Sequence, residues 1–416
     1  MTITADQLTV TSDSKLLLLE LQRLRRWQKL KALIPLTPLL LFILAFFFVP
    51  VSRMLFHAVH DDTLSALMPR TTAELTRWNG ENLPDEAAFA ALASDLNEAW
   101  SRKTAGAIAK RLNYELPGSN QQVMSSARKA VTLPSGPYRD AMLNISRLWS
   151  KREVWILLKR GVSNYTPYYL LRSVDLQRDP DGRIVTMPPD QAIFRDVFLR
   201  TFTISAGVMF LTLLLGFPLA YLLATLPKRI TNILMILVIL PFWTSVLVRT
   251  SAWIVLLQQQ GLVNDVLLAL HIVSRPIELV FNRVGTIVAM THIQLPITLL
   301  PIYSIMKTIS PNHIRAARSL GAGPFVAFWT VYFPQTFPGI AAGCLLTFIM
   351  CLGYYITPAL VGGPADQMVS TFIAHYTNED LNWGMASALG AILLLATLLL
   401  YHFYNKLAGP DQLNTR

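Results

Sequence analysis

The sequence predicts an all-α membrane protein with six transmembrane helices and one long segment outside the membrane. Three observations favour this fold class. Of 416 residues, 53% are hydrophobic and only 15% are charged, with a mean hydropathy of +0.42, whereas soluble domains carry about 25% charged residues. Six apolar stretches each have about the 20 residues that cross a bilayer. Basic residues flank these stretches in a regular alternation, as membrane orientation requires.

The first predicted span follows a basic segment and so resembles a signal peptide. The sequence AFFFVPVSRM offers no small-residue cleavage site, so we expect an uncleaved helix. Residues 1–31 before it are predicted to be an amphipathic segment that lies on the membrane surface or contacts a cytoplasmic partner. The six spans are predicted at residues 32–55, 197–226, 230–257, 284–306, 336–361 and 384–405.

Charge placement orients the chain. Basic clusters precede span one, join spans two and three, join spans four and five, and follow span six, so six spans put all of them on one face. Positive loops mark the cytoplasmic side. We therefore expect both termini in the cytoplasm, with a tail at 408–416 and a loop at 308–334, and the membrane core at 196–407. The net charge of +11 lies beside apolar spans, which argues against nucleic acid as a partner.

Residues 56–195 form a long polar insert after the first span. A helix-start signal at Pro84 and Asp85 and the pattern up to Leu112 predict a mostly helical domain there. One interpretation is a small domain that packs on the helix ends. The other is a docking surface for a soluble partner, because aromatic and basic residues mix between Leu143 and Leu171.

The sequence lacks the motifs of an autonomous enzyme or pump. It has no P-loop, no zinc-protease motif and no nucleophile elbow, so we expect no catalytic residues, no metal and no cofactor. Cys344 and Cys351 share one apolar stretch and are predicted to be core thiols. Arg249 and His292 are the clearest ionisable residues in the spans, and His292 is interpreted as an interhelical hydrogen bonder. A secondary transporter would carry membrane carboxylates.

Residues Arg315 to Pro334 form a polar interruption between spans four and five. Ser310 and Pro311 are typical of a helix start, and small side chains then give a face that another backbone can approach. A glycine turn ends this helix, and an aromatic stretch returns towards the membrane, where Pro334 closes it. Two short helices at an angle form a projection that fits a groove on a cytoplasmic partner. The residues predicted to make this contact are Arg315, Ala316, Ala317, Leu320, Gly321, Pro324 and Pro334.

The same segment resembles the cytoplasmic loop signature of ABC importer permeases. Ala316, Ala317, Gly321, Val331 and Pro334 occupy matching positions, and Arg315 stands where the family usually has Glu. The stretches 240–249, 261–265, 338–343 and 353–363 resemble the spermidine/putrescine branch. The resemblance covers about residues 190–407 and leaves the insert unexplained.

This resemblance implies a type I ABC importer permease fold in a bacterial inner membrane, with the insert in the periplasm. It implies a second permease, in this branch a different chain, two ATP-binding subunits, and a periplasmic binding protein. Transport would proceed by alternating access of a polyamine or of an opine-like or amino-acid-like solute. The alternative is a self-contained secondary transporter of organic cations; a membrane scaffold has no use for the loop. Candidate pathway residues, which could equally be packing residues, are Trp243, Thr244, Arg249, Tyr354, Tyr355 and Thr357.

Overall fold

The computed structural model describes residues 34–133 and 136–408. The predicted segment 1–31 and the tail beyond residue 408 lie outside the described residues. The chain divides into two units, residues 1–56 and 57–416. In the first unit, helix α1 (Thr37–His57) begins with a proline in its first turn and widens into one π turn at Leu44–Phe48.

The insert, taken here as residues 57–193, is mostly helical, as predicted, with one short antiparallel hairpin. The helical pattern predicted from Asp85 to Leu112 is two helices, because the chain turns at Lys103, whose φ is +60°. The elements are α2 (Thr63–Leu67), α3 (Pro69–Leu75), α4 (Glu86–Ser101), α5 (Ala105–Glu115), α6 (Ser119–Ala130), α7 (Tyr138–Ile145), α8 (Arg152–Arg160), α9 (Tyr168–Arg172), β1 (Leu176–Arg178) and β2 (Ile184–Thr186).

Large aromatic side chains fill the core of the insert. Trp149 and Trp155 are fully buried, and the ring of Trp155 lies 4.6 Å from that of Phe89. Each indole N–H is satisfied: Trp149 donates to the hydroxyl of Ser126 and Trp155 donates to the carbonyl of Trp149, both at 2.9 Å. The insert therefore has its own densely packed core, as a water-exposed domain needs.

The remaining chain forms the membrane core, residues 194–408. Its helices are α10 (Phe194–Thr225), α11 (Lys228–Ile239), α12 (Val246–Leu257), α13 (Leu262–Ala269), α14 (Arg283–Thr308), α15 (Pro311–Ser319), α16 (Pro324–Leu352), α17 (Ile356–Val361), α18 (Val369–Asn378) and α19 (Trp383–Ala408). Among the described residues, five helices are long and apolar enough to cross a membrane, and a bent pair makes a sixth span.

Two spans differ from their predicted form. Span three, predicted as one helix at 230–257, is bent by 99° between Trp243 and Val246, because Thr244 and Ser245 leave the helical conformation after a 3₁₀ turn that contains Pro241. Span five, predicted at 336–361, runs from Pro324 to Leu352. Pro334 therefore lies inside a continuing helix, just after the turn Phe328–Tyr332, and does not close the segment.

The central helices α10, α14 and α16 approach closely through small residues. A Cβ on Gly343 would lie 2.6 Å from the carbonyl oxygen of Thr298, and one on Gly339 would lie 3.0 Å from Cα of Ile302. In the same layer, the hydroxyl of Thr298 donates to Thr212 at 2.9 Å and bonds with Thr347. Glycines with hydroxyl bonds across helices are typical of membrane packing.

A polar joint ties the insert to the membrane core. The carboxylate of Asp175 accepts from the backbone N–H groups of Phe194 and Arg195 at 3.0 and 2.7 Å, and so caps α10. Lys110 donates to the backbone carbonyl of Asp380 between α18 and α19. A Cβ on Gly384 would lie 2.4 Å from the ring of Tyr169. The insert is therefore a firmly seated extension of the helices beneath it.

A buried ion pair stands at the centre of this joint. Arg111 bonds the carboxylates of Asp61 and Glu115 and lies over the rings of Tyr168 and Tyr169 at 5.3 and 5.9 Å. Burial would raise the pKa of Asp61, but Arg111 and hydrogen bonds from Thr63 and Tyr169 outweigh it and lower that pKa. Ionised Asp61 therefore contributes to holding the joint together.

Candidate coupling segment and translocation residues

The projection predicted at 308–334 is present as α15 and the first turns of α16. Ser310 caps α15, its hydroxyl accepting from the N–H of Asn312 at 3.3 Å, and Pro311 occupies the first turn. Gly321 ends the helix with a φ of +91°, and the N–H of Ala322 returns to the carbonyl of Ala317 at 3.0 Å. This left-handed turn suits glycine, because any Cβ there is strained.

The tip of this projection is apolar and exposed. Leu320 is 90% exposed and Phe325 is 74% exposed. Ala316, Gly321, Pro324 and Pro334 are also exposed, whereas Ala317 is half-buried. Apolar side chains at such a tip are typical of a surface that a partner covers.

The charge of the projection is wholly basic. Arg315 and Arg318 are exposed, and within the described chain neither forms an ion pair with a carboxylate. The sequence has no Asp or Glu between Glu278 and Asp366. The exposed surface of the projection is therefore positively charged.

The base of the projection is anchored on α10. The ring of Phe328 lies 5.5 Å from that of Tyr221, which also lies 5.5 Å from the ring of Tyr332. These rings flank a π turn, Phe328–Tyr332, where α16 widens. His313 bonds Gln335 at 2.8 Å and pins α15 to α16. Edge-to-face ring contacts and one side-chain hydrogen bond thus join the base of the projection to α10 and α16.

The six candidate pathway residues lie in two stretches of the chain, 243–249 and 354–357. Trp243 is 86% exposed and lines a cavity of about 360 Å³ with Asn232, Met235, Ile236, Ile239 and Leu240, none of which was predicted. Thr244 is exposed, and its hydroxyl donates to the carbonyl of Pro241 at 2.8 Å at the bend in span three. Both residues lie at the bend in span three, a few positions before Arg249.

The other four candidates lie on α12 and around α17. The hydroxyls of Thr357 and Thr250 bond at 2.9 Å, which joins α17 to the helix that carries Arg249. Arg249 is half-buried, and its Nε has no hydrogen-bond partner among the described residues. Tyr354 is half-buried with its hydroxyl equally unpartnered in the described chain, and Tyr355 is exposed. Arg249 Nε and the Tyr354 hydroxyl are thus buried polar atoms without a hydrogen-bond partner among the described residues.

Several polar contacts of the membrane core were not predicted. The indole of Trp253 donates to Nδ1 of His292 at 3.1 Å, which confirms the interhelical bond expected of His292 but adds a partner that the sequence did not single out. Gln294 is buried on α14, and both amide atoms lack partners in the described part of the chain. The sequence could have singled out Gln294, because it is a polar residue within an apolar span.

The fold and the projecting segment define a multi-pass helical membrane permease. Residues 216–410 match the model of the family described as binding-protein-dependent transport system inner membrane component. The spermidine/putrescine transport system permease protein PotB of Haemophilus influenzae is 32% identical over 52% of this chain and 76% of that protein. Escherichia coli PotB is 30% identical over 51% and 78%.

The chain therefore belongs to the binding-protein-dependent inner membrane component family. It is a multi-pass inner-membrane protein, the non-catalytic permease subunit of an ABC importer, and it works with a binding protein. A solved bacterial alginate ABC transporter is 17% identical, with a TM-score of 0.44 over 52% of this chain and 78% of that one. The insert lies outside the residues that the family model matches.

Proposed function

We propose that residues 308–334 transmit the energy of ATP hydrolysis from a partner ATPase to the membrane helices. The observation that carries this proposal is the exposed apolar tip on a left-handed glycine turn, anchored by edge-to-face ring contacts between α10 and α16. The tip would seat in a groove of the ATP-binding subunit, as the loop signature implies. Its movement would then tilt the helices and alternate access to the pathway.

The proposed assembly has this chain beside a second, different permease, with two ATP-binding subunits at the cytoplasmic face. The basic loops support placing both termini and the projection in the cytoplasm. The insert and the joint would then lie in the periplasm, where the binding protein delivers its solute. Protease added to the cytoplasmic side of sealed membranes should leave residues 90–133 intact, and cleavage there would refute this topology.

The proposed solute is a polyamine, since PotB relatives carry spermidine/putrescine in their names. Arg249 supports a second candidate, an opine-like or amino-acid-like solute, because a carboxylate would satisfy its unpartnered Nε. Calorimetry on the cognate binding protein with putrescine, spermidine and an opine separates the two. Binding of polyamines alone supports the first, and binding of a carboxylate-bearing solute alone supports the second.

Gly321→Val tests the coupling role. A β-branched side chain at a φ of +91° cannot keep the turn, so we expect import and solute-stimulated ATPase activity to fall at least tenfold while membrane insertion persists. The matched control is Gly323→Ala, which lies two residues away with an ordinary φ and open space for a Cβ.

Reconstituted proteoliposomes with a labelled solute provide the measurement. Normal import by Gly321→Val in the assembled complex would contradict the coupling role. Import by this chain without any ATPase would instead support a secondary transporter. Loss of import in both variants would show that the segment tolerates no substitution. The effect of Gly321→Val could then not be assigned to the left-handed turn.

The positive charge of the projection predicts negative charge on the surface of its partner. We expect the ATP-binding subunit to face Arg315 with a carboxylate. Arg315→Glu should therefore weaken binding of the ATPase by about tenfold, and replacing the facing carboxylate by Lys should restore it, as read by co-purification at low and high salt. Unchanged binding of Arg315→Glu at low salt would refute the pairing.

A further inference from the structure

The insert contains a cavity that the transport role leaves unused. It has a volume of about 440 Å³ and lies between α5, the end of α8, β1 and the loop that leads to α9. This is large enough for a small organic molecule. The lining residues used below are Asp61, Arg111, Glu115, Lys159, Arg160 and Arg178.

The cavity wall has an excess of positive charge. Both of its carboxylates, Asp61 and Glu115, are bound to Arg111. Among the described residues, Lys159, Arg160 and Arg178 form no ion pair with any carboxylate. The charges of these three cations are therefore not neutralised by a carboxylate of the described chain.

Two of these cations are held in place by the backbone. Lys159 donates to the carbonyl of Trp78 and lies over the Trp78 ring at 5.7 Å, and Arg160 donates to the carbonyl of Asp179. Both side chains are half-buried. Carbonyl contacts position a cation without neutralising it, so an anion can still be bound by these groups.

Arg111 supplies an independent observation at the inner wall. It is only 6% exposed, yet its Nη1 has no acceptor within the described chain, although Nε and Nη2 bond the two carboxylates. A buried guanidinium N–H without an acceptor is unfavourable. An oxyanion in the cavity would bring acceptor oxygens to this wall.

Apolar and uncharged polar residues make up the rest of the wall. Leu64, Val162 and Leu171 border the cavity together with the ring of Tyr168. Gly161 packs directly on Leu64, since a Cβ there would lie 2.7 Å from a methyl group of Leu64. The lining thus combines cations with apolar side chains.

We propose that this cavity binds a small organic anion, with a carboxylate or phosphate group at Lys159, Arg160 and Arg178 and its carbon body against Leu64 and Leu171. A polyamine is excluded, because the two acids are already engaged and the remaining charges repel cations. The site is distinct from the transport pathway and does not depend on the proposed function. The anion comes from a soluble organic acid or from the headgroup of an anionic phospholipid.

Calorimetry on the purified complex in nanodiscs of zwitterionic phosphatidylcholine tests the site directly. We expect saturable binding of citrate or inorganic phosphate, with one site per chain. Arg178→Gln, at an exposed position, should weaken binding by about tenfold, the effect of losing one charge-assisted contact. Lys159→Gln should do the same. Lys129→Gln, exposed on α6 and away from the cavity, is the matched control.

A second arm separates the two sources of the anion. If phosphatidylglycerol nanodiscs weaken citrate binding to the wild type but not to Arg178→Gln, the headgroup occupies the site. If phosphatidylglycerol has no such effect, a soluble acid is the ligand. Absence of saturable anion binding in phosphatidylcholine overturns the proposal, as does an equal loss in Lys129→Gln. Transport is not measured, so failure here leaves the coupling role untouched.

Discussion

The insert and the membrane core solve the packing problem with opposite sets of residues. The insert buries tryptophans and the paired charges of Asp61 and Arg111. The membrane core places glycines and threonines where helices meet and leaves large apolar side chains, such as Phe210, on its surface. In water, apolar area drives burial. In lipid this drive between helices is absent, so close contact and hydroxyl bonds take its place.

This difference teaches where each region is vulnerable. The insert depends on the volume and charge of a few large side chains, so truncation or neutralisation should be most harmful there. The membrane core depends on small residues where its helices meet, so substitutions that add a methyl group should be most harmful there. Four substitutions test this contrast.

Trp155→Ala should have the largest effect. Removing a buried indole from the insert costs about 3–5 kcal/mol, and the contact with Phe89 and the bond to the Trp149 carbonyl are lost with it. The measurement is the free energy of unfolding of the insert, followed by the near-ultraviolet signal of its tryptophans. Trp100→Ala, at an exposed position on α4, is the control. Equal destabilisation by both changes would contradict a core built on Trp155.

Asp61→Asn should have the next effect, and one that depends on pH. Breaking a buried ion pair costs about 3–5 kcal/mol, and less is expected here because Glu115 still faces Arg111. The folded-state pKa of Asp61 lies below its ordinary value of 3.8. The contribution of its charge is therefore fully present well above pH 3.8 and is lost as the pH falls through the folded-state pKa.

The unfolding free energies of wild type and Asp61→Asn should thus converge in acid. Asp62→Asn, one residue away and exposed, should show no such gap at neutral pH. A gap between wild type and Asp61→Asn that stays constant down to pH 2 would refute the role given to the ionised carboxylate.

Gly343→Ala should be the most damaging small change in the membrane core. Its Cβ would lie 2.6 Å from the carbonyl oxygen of Thr298, so α14 and α16 must separate. Such overpacking costs about 1–3 kcal/mol. Gly353→Ala, with open space around its Cβ, is the control, and the midpoint of thermal unfolding in detergent is the measurement. A midpoint shift no larger than that of the control would show that the glycine contact is not needed.

The sequence predicted the six spans, the helical insert and the projecting segment, because these depend on local hydropathy, charge and turn residues. It placed span three in one helix and started span five at residue 336, whereas the chain bends after Trp243 and α16 begins at Pro324. The topology, the coupling residues and the six pathway residues stay predictions. The joint at Asp61 and Arg111 could not be predicted, since the two residues are 50 positions apart in the chain and no local pattern pairs them.

Thr298→Val should have the smallest effect, and it tests the hydroxyl bonds between the membrane helices alone. It keeps the shape of the side chain but removes the hydroxyl that joins Thr212 and Thr347, so two buried hydroxyls lose their cross-helix partner. Hydrogen bonds between membrane helices contribute about 0.6 kcal/mol, and at most about 1.7. Thr203→Val, whose hydroxyl is exposed and bonds only its own helix at Leu199, is the control in the same thermal measurement. If Thr298→Val destabilised the protein as strongly as Trp155→Ala, hydroxyl bonds rather than close backbone contacts would hold these helices together. The membrane core would then depend on polar side-chain contacts, and its proposed dependence on small residues would be wrong.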